Sequence, residues 1–86
     1  MKIKAEELIK IANLKLTPLE EVDLFLPDES FIYYEITNIE EIFSIKKDYP
    51  IYAYGDEEGI FGIIFRNGCC GLGCYIELTE DSTIIG

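Results

Sequence analysis

Apolar residues between positions 4 and 14 recur with a helical period. Ala5, Leu8, Ile9 and Ala12 stand at i, i+3, i+4 and i+7, which puts them on one stripe and predicts a helix over 4–14. Glu6 and Lys10, four apart in the favourable order, support it, and Asn13 ends it. Thr17-Pro18-Leu19-Glu20 then has the order of a helix start, with Thr17 as cap, Pro18 at the first helical position and Glu20 where a capping box needs it. A short helical turn over 18–22 is expected, and Asp23-Leu24-Phe25-Leu26 fits either helix or strand. Pro27-Asp28-Glu29-Ser30 reads as a turn. Residues 31–36 are aromatic and β-branched and read as a strand. Asn38-Ile39-Glu40-Glu41 is a second helix start, capped by Asn38. Its helix is expected to run to about Lys47, with acids in the first turn and Lys46 and Lys47 in the last, before Pro50 forbids continuation.

The C-terminal third switches to the period of a strand. Residues 51–54, 60–65 and 74–78 read as strands, and 83–85 as a short edge strand. On 60–65, Phe61, Ile63 and Phe65 point one way and Ile60 and Ile64 the other. With both faces apolar, the strand must be covered on both sides, by its own chain or by a second subunit. Asn67-Gly68 is the strongest hairpin signal, because both central positions of a type I′ turn need positive φ. A two-residue turn there predicts Arg66 opposite Cys69, Phe65 opposite Cys70, Ile63 opposite Leu72 and Phe61 opposite Cys74. The whole reads as α+β: an antiparallel sheet of three to five strands with two or three helices packed on one face, in a single small globular domain over residues 1–86.

Charge narrows the function. The 86 residues carry 7 Lys+Arg against 17 Asp+Glu, a net charge of −10, and no His. Such a surface repels nucleic-acid backbones, and the missing His removes the commonest general base and metal ligand. No paired nucleophile and base emerges from the Ser and Thr residues, which stand in turn and cap contexts, so no enzyme is expected. No run of 18 apolar residues predicts a membrane span, and the N-terminus turns acidic before any apolar segment, unlike a secretory signal. Three Cys, an odd number, fit reduced thiols and a cytoplasmic location.

The acids are unevenly spread. Residues 20–41 carry eight and no base. This stretch predicts a coherent negative surface for a basic protein partner, with Glu20, Glu21, Asp23, Asp28, Glu29, Tyr33 and Glu35 as contact residues. Tyr33 beside Glu35, or Tyr52 and Tyr54 beside Asp56, supplies the aromatic-plus-acid mixture of an exposed contact face. The favoured expectation is a small acidic non-enzymatic binding or regulatory protein, inhibitor-like or immunity-like, with no cofactor, no direct nucleic-acid contact, and a homodimer left open. Locally, Leu26-Pro27-Asp28, Ile39-Glu40-Glu41 and Tyr54-Gly55-Asp56-Glu57-Glu58-Gly59 resemble SUKH-type immunity proteins, in a chain shorter than that superfamily usually has. The basic partner expected from the charge is a nucleic-acid-binding protein or a toxin-like enzyme.

Two rival readings use other residues. Asp56, Glu57 and Glu58 in one loop and Glu80 and Asp81 in another offer oxygen ligands for a weakly held Ca²⁺ or Mg²⁺. Cys69, Cys70 and Cys74 offer thiols for a metal or redox site, although C-C-x-x-x-C lacks the usual zinc spacing. On the predicted register Cys70 and Cys74 share an apolar face about 13 Å apart along the strand, the environment of small buried hydrophobes.

Overall fold

The computed structural model describes residues 2–22, 24, 26, 28–46, 48–66 and 73–85. Its centre is built by the segments richest in β-branched and aromatic residues. Five strands form one antiparallel sheet in the order β2-β3-β4-β5-β6: β2 (Leu14–Thr17), β3 (Ile32–Ile36), β4 (Ile51–Asp56), β5 (Gly59–Arg66) and β6 (Gly73–Glu77). Two further strands, β1 (Lys2–Lys4) and β7 (Thr83–Ile85), pair antiparallel as a separate ribbon. The helices are α1 (Ala5–Ile11) and α2 (Ile39–Phe43), with a 3₁₀ turn at Leu19–Glu21. The fold is α+β, with a five-stranded antiparallel sheet and few, short helices.

Strand alternation divides the apolar side chains into two clusters on opposite faces of the sheet. Ile36, Ile51 and Ile63 join Ala5, Leu8, Ile39, Phe43 and Ile84 in one. Tyr33, Tyr52, Tyr54 and Ile64 join Val22, with Leu24, Leu26 and Phe31 packed against them, in the other. The two-sided apolar character of β5 is thus answered within the chain. Its second face is covered by residues that lead out of the 3₁₀ turn and into β3.

Local signals were overridden at several points. The helix expected over 4–14 spans only Ala5–Ile11; Leu-Lys-Leu-Thr at 14–17 alternates and pairs with β3, Leu14 opposite Ile36 and Thr17 opposite Tyr33. Thr17 does not cap a helix. Its hydroxyl accepts from the Glu35 N–H at 3.2 Å and donates to the Lys15 carbonyl at 3.0 Å, tying the two strands together. Asn38 precedes α2 but its side chain makes no cap bond to that helix. Instead its Oδ1 accepts from the Asn13 N–H at 2.8 Å and its Nδ2 donates to the Ile11 carbonyl at 3.0 Å, so it satisfies the end of α1. α2 stops at Phe43, with Ser44 left-handed at φ 56°, so Lys46 lies beyond the last turn rather than in it.

The hairpin register also differs. Arg66 pairs with Gly73, Phe65 with Cys74, Ile64 with Tyr75, Ile63 with Ile76 and Gly62 with Glu77. Residues 67–72, including the predicted Asn67-Gly68 turn and Leu72, therefore stand between the strands, and they lie outside the described residues. The observed register sets Ile63 beside Ile76 in the first cluster and Ile64 beside Tyr75 on the other face, which keeps both apolar faces intact. Between β4 and β5 the register shifts: Tyr54 pairs with Gly62 but Gly55 with Ile60, leaving Phe61 as the extra residue of a bulge. Phe61 accordingly leaves the side of Ile63 and Phe65, and its ring meets Phe31 at 5.5 Å.

Candidate aromatic-acidic cleft

The register gathers several loops at one end of the sheet. β3 begins there, β4 ends and β5 begins there, and β6 ends there, as the pairs Ile32–Gly55 and Asp56–Gly59 and the bond from the Leu78 N–H to the Phe61 carbonyl (2.8 Å) show. Each of these loops carries acids: Asp28 and Glu29, then Asp56, Glu57 and Glu58, then Glu77, Glu80 and Asp81. The opposite end of the sheet holds Glu40, Glu41 and Asp48 together with Lys46 and with Arg66, whose guanidinium carbon stands 4.6 Å from the Tyr49 ring centroid. Lys4, opposite Thr83, flanks the acidic end. Lys10 and Glu6 form an exposed ion pair at 4.0 Å, and Asp28, Glu29, Glu57, Glu58, Glu77, Glu80 and Asp81 are exposed.

Each loop has its own hydrogen-bonded frame. Asp28 Oδ1 accepts from both the N–H and the hydroxyl of Ser30, each at 2.8 Å, and these bonds lower the Asp28 carboxyl below its ordinary value. The Tyr33 hydroxyl donates to the Asp28 carbonyl at 2.7 Å, which anchors the turn to β3. Asp56 Oδ1 accepts from the Glu58 N–H at 2.8 Å. The Ser82 hydroxyl donates to the Glu77 carbonyl, and the Ser82 N–H donates to the Thr79 carbonyl at 3.3 Å.

A cleft of about 550 Å³ opens within this end, lined by Asp28, Phe31, Tyr54, Ile60, Phe61, Tyr75, Glu77 and Leu78. Its aromatic rings contact one another in sequence. Phe31 stacks on Tyr54 at 5.4 Å, Phe61 meets the Phe31 ring edge-on, and Tyr75 meets Tyr54 edge-on at 6.4 Å. Tyr54 is buried. Burial, then the Glu77 carboxylate and the Tyr75 and Tyr33 phenols, pushes its own phenol up to about 12. Tyr75 and Phe61 remain 56% and 40% exposed at the cleft. Asp28 and Glu77 supply negative charge, and no Lys or Arg among the described residues lines the cleft.

The sequence-predicted contact residues are only partly brought together. Asp28 and Glu29 lie exposed at the acidic end; Glu20 and Glu21 are exposed on the 3₁₀ turn, and Asp23 lies outside the described residues. Glu35 is half-buried on β3, in register with Lys15 and Tyr52 towards the opposite end. Tyr33 is 1% exposed and Tyr52 and Tyr54 are buried as well, so none of the three forms an exposed contact face. Their rings are needed to fill the second cluster. Glu40 and Glu41 follow the far end of β3 on α2, so the acids of 20–41 do not form one surface. The acidic end is assembled instead from three loops distant in sequence.

The 56–58 and 80–81 turns share that end of the sheet, but among the described residues no three Cys, Asp or Glu side chains group closely enough to hold a metal ion. Cys69 and Cys70 lie outside the described residues, and Cys74 sits in β6 opposite Phe65. Glu77 and Tyr75, absent from the sequence-predicted site, enter it because the register places them beside Gly62 and Ile64. A two-residue turn at Asn67-Gly68 would have set both elsewhere. Comparison with family models, with curated proteins and with solved structures finds no match to the chain. No helix among the described residues is long and apolar enough to cross a membrane.

Proposed function

We propose that this chain is a small, non-enzymatic binding protein that engages a basic partner protein through the acidic end of its sheet. The observation that carries the reading is the gathering of acids from the 28–30, 56–58 and 77–81 segments at one end of the sheet, while at the other end Glu40, Glu41 and Asp48 stand among Lys46 and Arg66. A concentration of negative charge of this kind steers a cationic surface and raises its association rate. The exposed carboxylates of these loops keep that field available to a partner. The exposed rings of Phe61 and Tyr75 add the apolar anchors that charge alone does not provide.

The test is affinity capture from the source cell with the whole chain as bait, at low and high salt, with mass spectrometry. The bait is paired with a variant carrying Glu57→Gln, Glu58→Gln, Glu80→Gln and Asp81→Asn. A basic protein retained at low salt, released at high salt and lost with the variant is the expected result. Equal retention by the variant, or retention only of acidic or neutral proteins, overturns the reading.

A further inference from the structure

We propose that the cleft between Phe31, Phe61 and Tyr75 takes an arginine side chain of the basic partner, stacked on its aromatic wall and paired with Asp28 and Glu77. This rests on the reading above and adds the chemistry of the contact. Four observations carry it. The cleft volume, about 550 Å³, falls within the range of small-molecule sites, about 300–1,000 Å³, and so admits a long side chain with part of its backbone. Its walls include exposed rings, Tyr75 on the outermost strand of the sheet and Phe61 on the bulge. Its charged lining groups are both carboxylates. Asp28, one of the lining residues, is held in one orientation by the two Ser30 bonds to its Oδ1.

Aromatic faces beside carboxylates match a guanidinium better than they match other cations. The guanidinium is planar, stacks on rings, presents donors in a fixed fork and is less strongly hydrated than an ammonium. A metal ion gains nothing from the rings. An uncharged apolar side chain would leave the two carboxylates partly desolvated without a partner. Burial first, and then the nearby Glu77 carboxylate, hold the Tyr54 phenol above its ordinary value, which places that carboxylate beside the aromatic wall. The bulge is what makes the site. Without the extra residue, Phe61 would stay with Ile63 and Phe65 on the far face, and the cleft would lose a wall.

The test uses the isotopically labelled whole chain and three blocked tripeptides, acetyl-Gly-X-Gly-amide with X arginine, lysine or citrulline, followed by amide and aromatic NMR shifts at about 0.15 M salt. Citrulline keeps the shape of arginine without its charge. The arginine peptide is expected to give saturable shifts at Phe61, Tyr75 and Glu77, the lysine peptide to bind more weakly, and the citrulline peptide to give none. Tyr75→Leu, which keeps apolar bulk without a ring face, and Glu77→Gln are each expected to weaken binding about five- to tenfold. Glu40→Gln, on the far half of the molecule, is expected to leave it unchanged. Tyr75 and Glu77 are exposed, and the unperturbed amide spectrum of each variant away from the cleft verifies its fold.

Equal binding of the citrulline peptide, shifts scattered over the surface without saturation, or full affinity in Tyr75→Leu overturns the cleft assignment. So does the absence of any shift at about 10 mM arginine peptide. The outcome separates from that of the capture experiment. A salt-released basic partner held as well by Glu77→Gln as by the native chain defeats the cleft and leaves the acidic end standing. A saturable arginine site with no captured basic protein does the reverse.

Discussion

Gly62 and Tyr54 face each other across the ladder between β4 and β5, and the Tyr54 phenol occupies the space where a Cβ on residue 62 would stand. Such a Cβ would also lie 2.6 Å from Tyr54 Cζ and 2.5 Å from the Ile76 carbonyl oxygen. The ring can lie flat across the strand only because its partner has no side chain. Gly62→Ala is therefore expected to destabilise the protein by about 1–3 kcal/mol through overpacking. For a domain of this size each kcal/mol lowers Tm by about 4–8 °C, measured by thermal unfolding. Adding Tyr54→Leu should recover only part of the loss, because the carbonyl contact is backbone and remains.

Asn38 offers a different kind of test, since its side chain joins segments 25 and 27 residues apart. Asn38→Ala removes both the acceptor for the Asn13 N–H and the donor to the Ile11 carbonyl, at an expected cost of about 1–2 kcal/mol. Asn38→Asp keeps the acceptor and loses the donor, and should fall between Ala and the native residue in denaturant unfolding. If Asn38 served instead as an ordinary cap of α2, Asp would be as good as Asn.

Removing the Tyr33 hydroxyl should loosen the turn that carries Asp28 without opening the core. Tyr33→Phe keeps the buried ring and loses the bond to the Asp28 carbonyl, an expected cost of about 1 kcal/mol. Faster amide hydrogen exchange should be confined to residues 28–31, where the Phe31 N–H donates to that same carbonyl at 3.2 Å. Exchange that rises equally across β4 and β5 would show that the hydroxyl supports the sheet instead.

The phenol of Tyr54 gives a pH dependence whose sign is fixed. Its pKa stands at about 12 in the fold against an ordinary value of 10.0. Between those values the unfolded chain has lost a proton that the folded chain keeps, so stability falls as pH rises. The contribution is whole below about pH 10 and lost as pH rises through about 12. Tyr33, also raised by burial, adds to the slope in the same sense. Denaturant unfolding across this range should show the decline, and Tyr54→Phe should flatten it.

Much of the scaffold was legible in the chain, because its strongest patterns are those burial enforces. The Ala5–Leu8 stripe is buried in α1, and the β-rich runs at 31–36, 51–54 and 60–65 became β3, β4 and β5. β1 and β2 escaped because three or four residues carry too little period. Lys-Ile-Lys says almost nothing, and Leu-Lys-Leu-Thr before a proline looks like the gap between two helices. Asn67-Gly68 misled because a local turn preference does not by itself fix a register: the ladder sets Ile63 opposite Ile76 and Arg66 opposite Gly73, with residues 67–72 between the strands. The cleft followed that error. Its residues come from 28–31, 54–61 and 75–78, and only the register between β5 and β6 and the bulge at Phe61 bring their rings together.

The gathering of acids around the β4–β5 turn has a consequence for how the molecule meets anything in solution. A body that is far more negative at one end than at the other feels a torque in another's field and turns before it touches. A cationic surface arriving from any side would rotate the β4–β5 turn towards itself, and the first collision would already be close to a productive pose. Rotational search, rather than grip, is where this arrangement saves the most time.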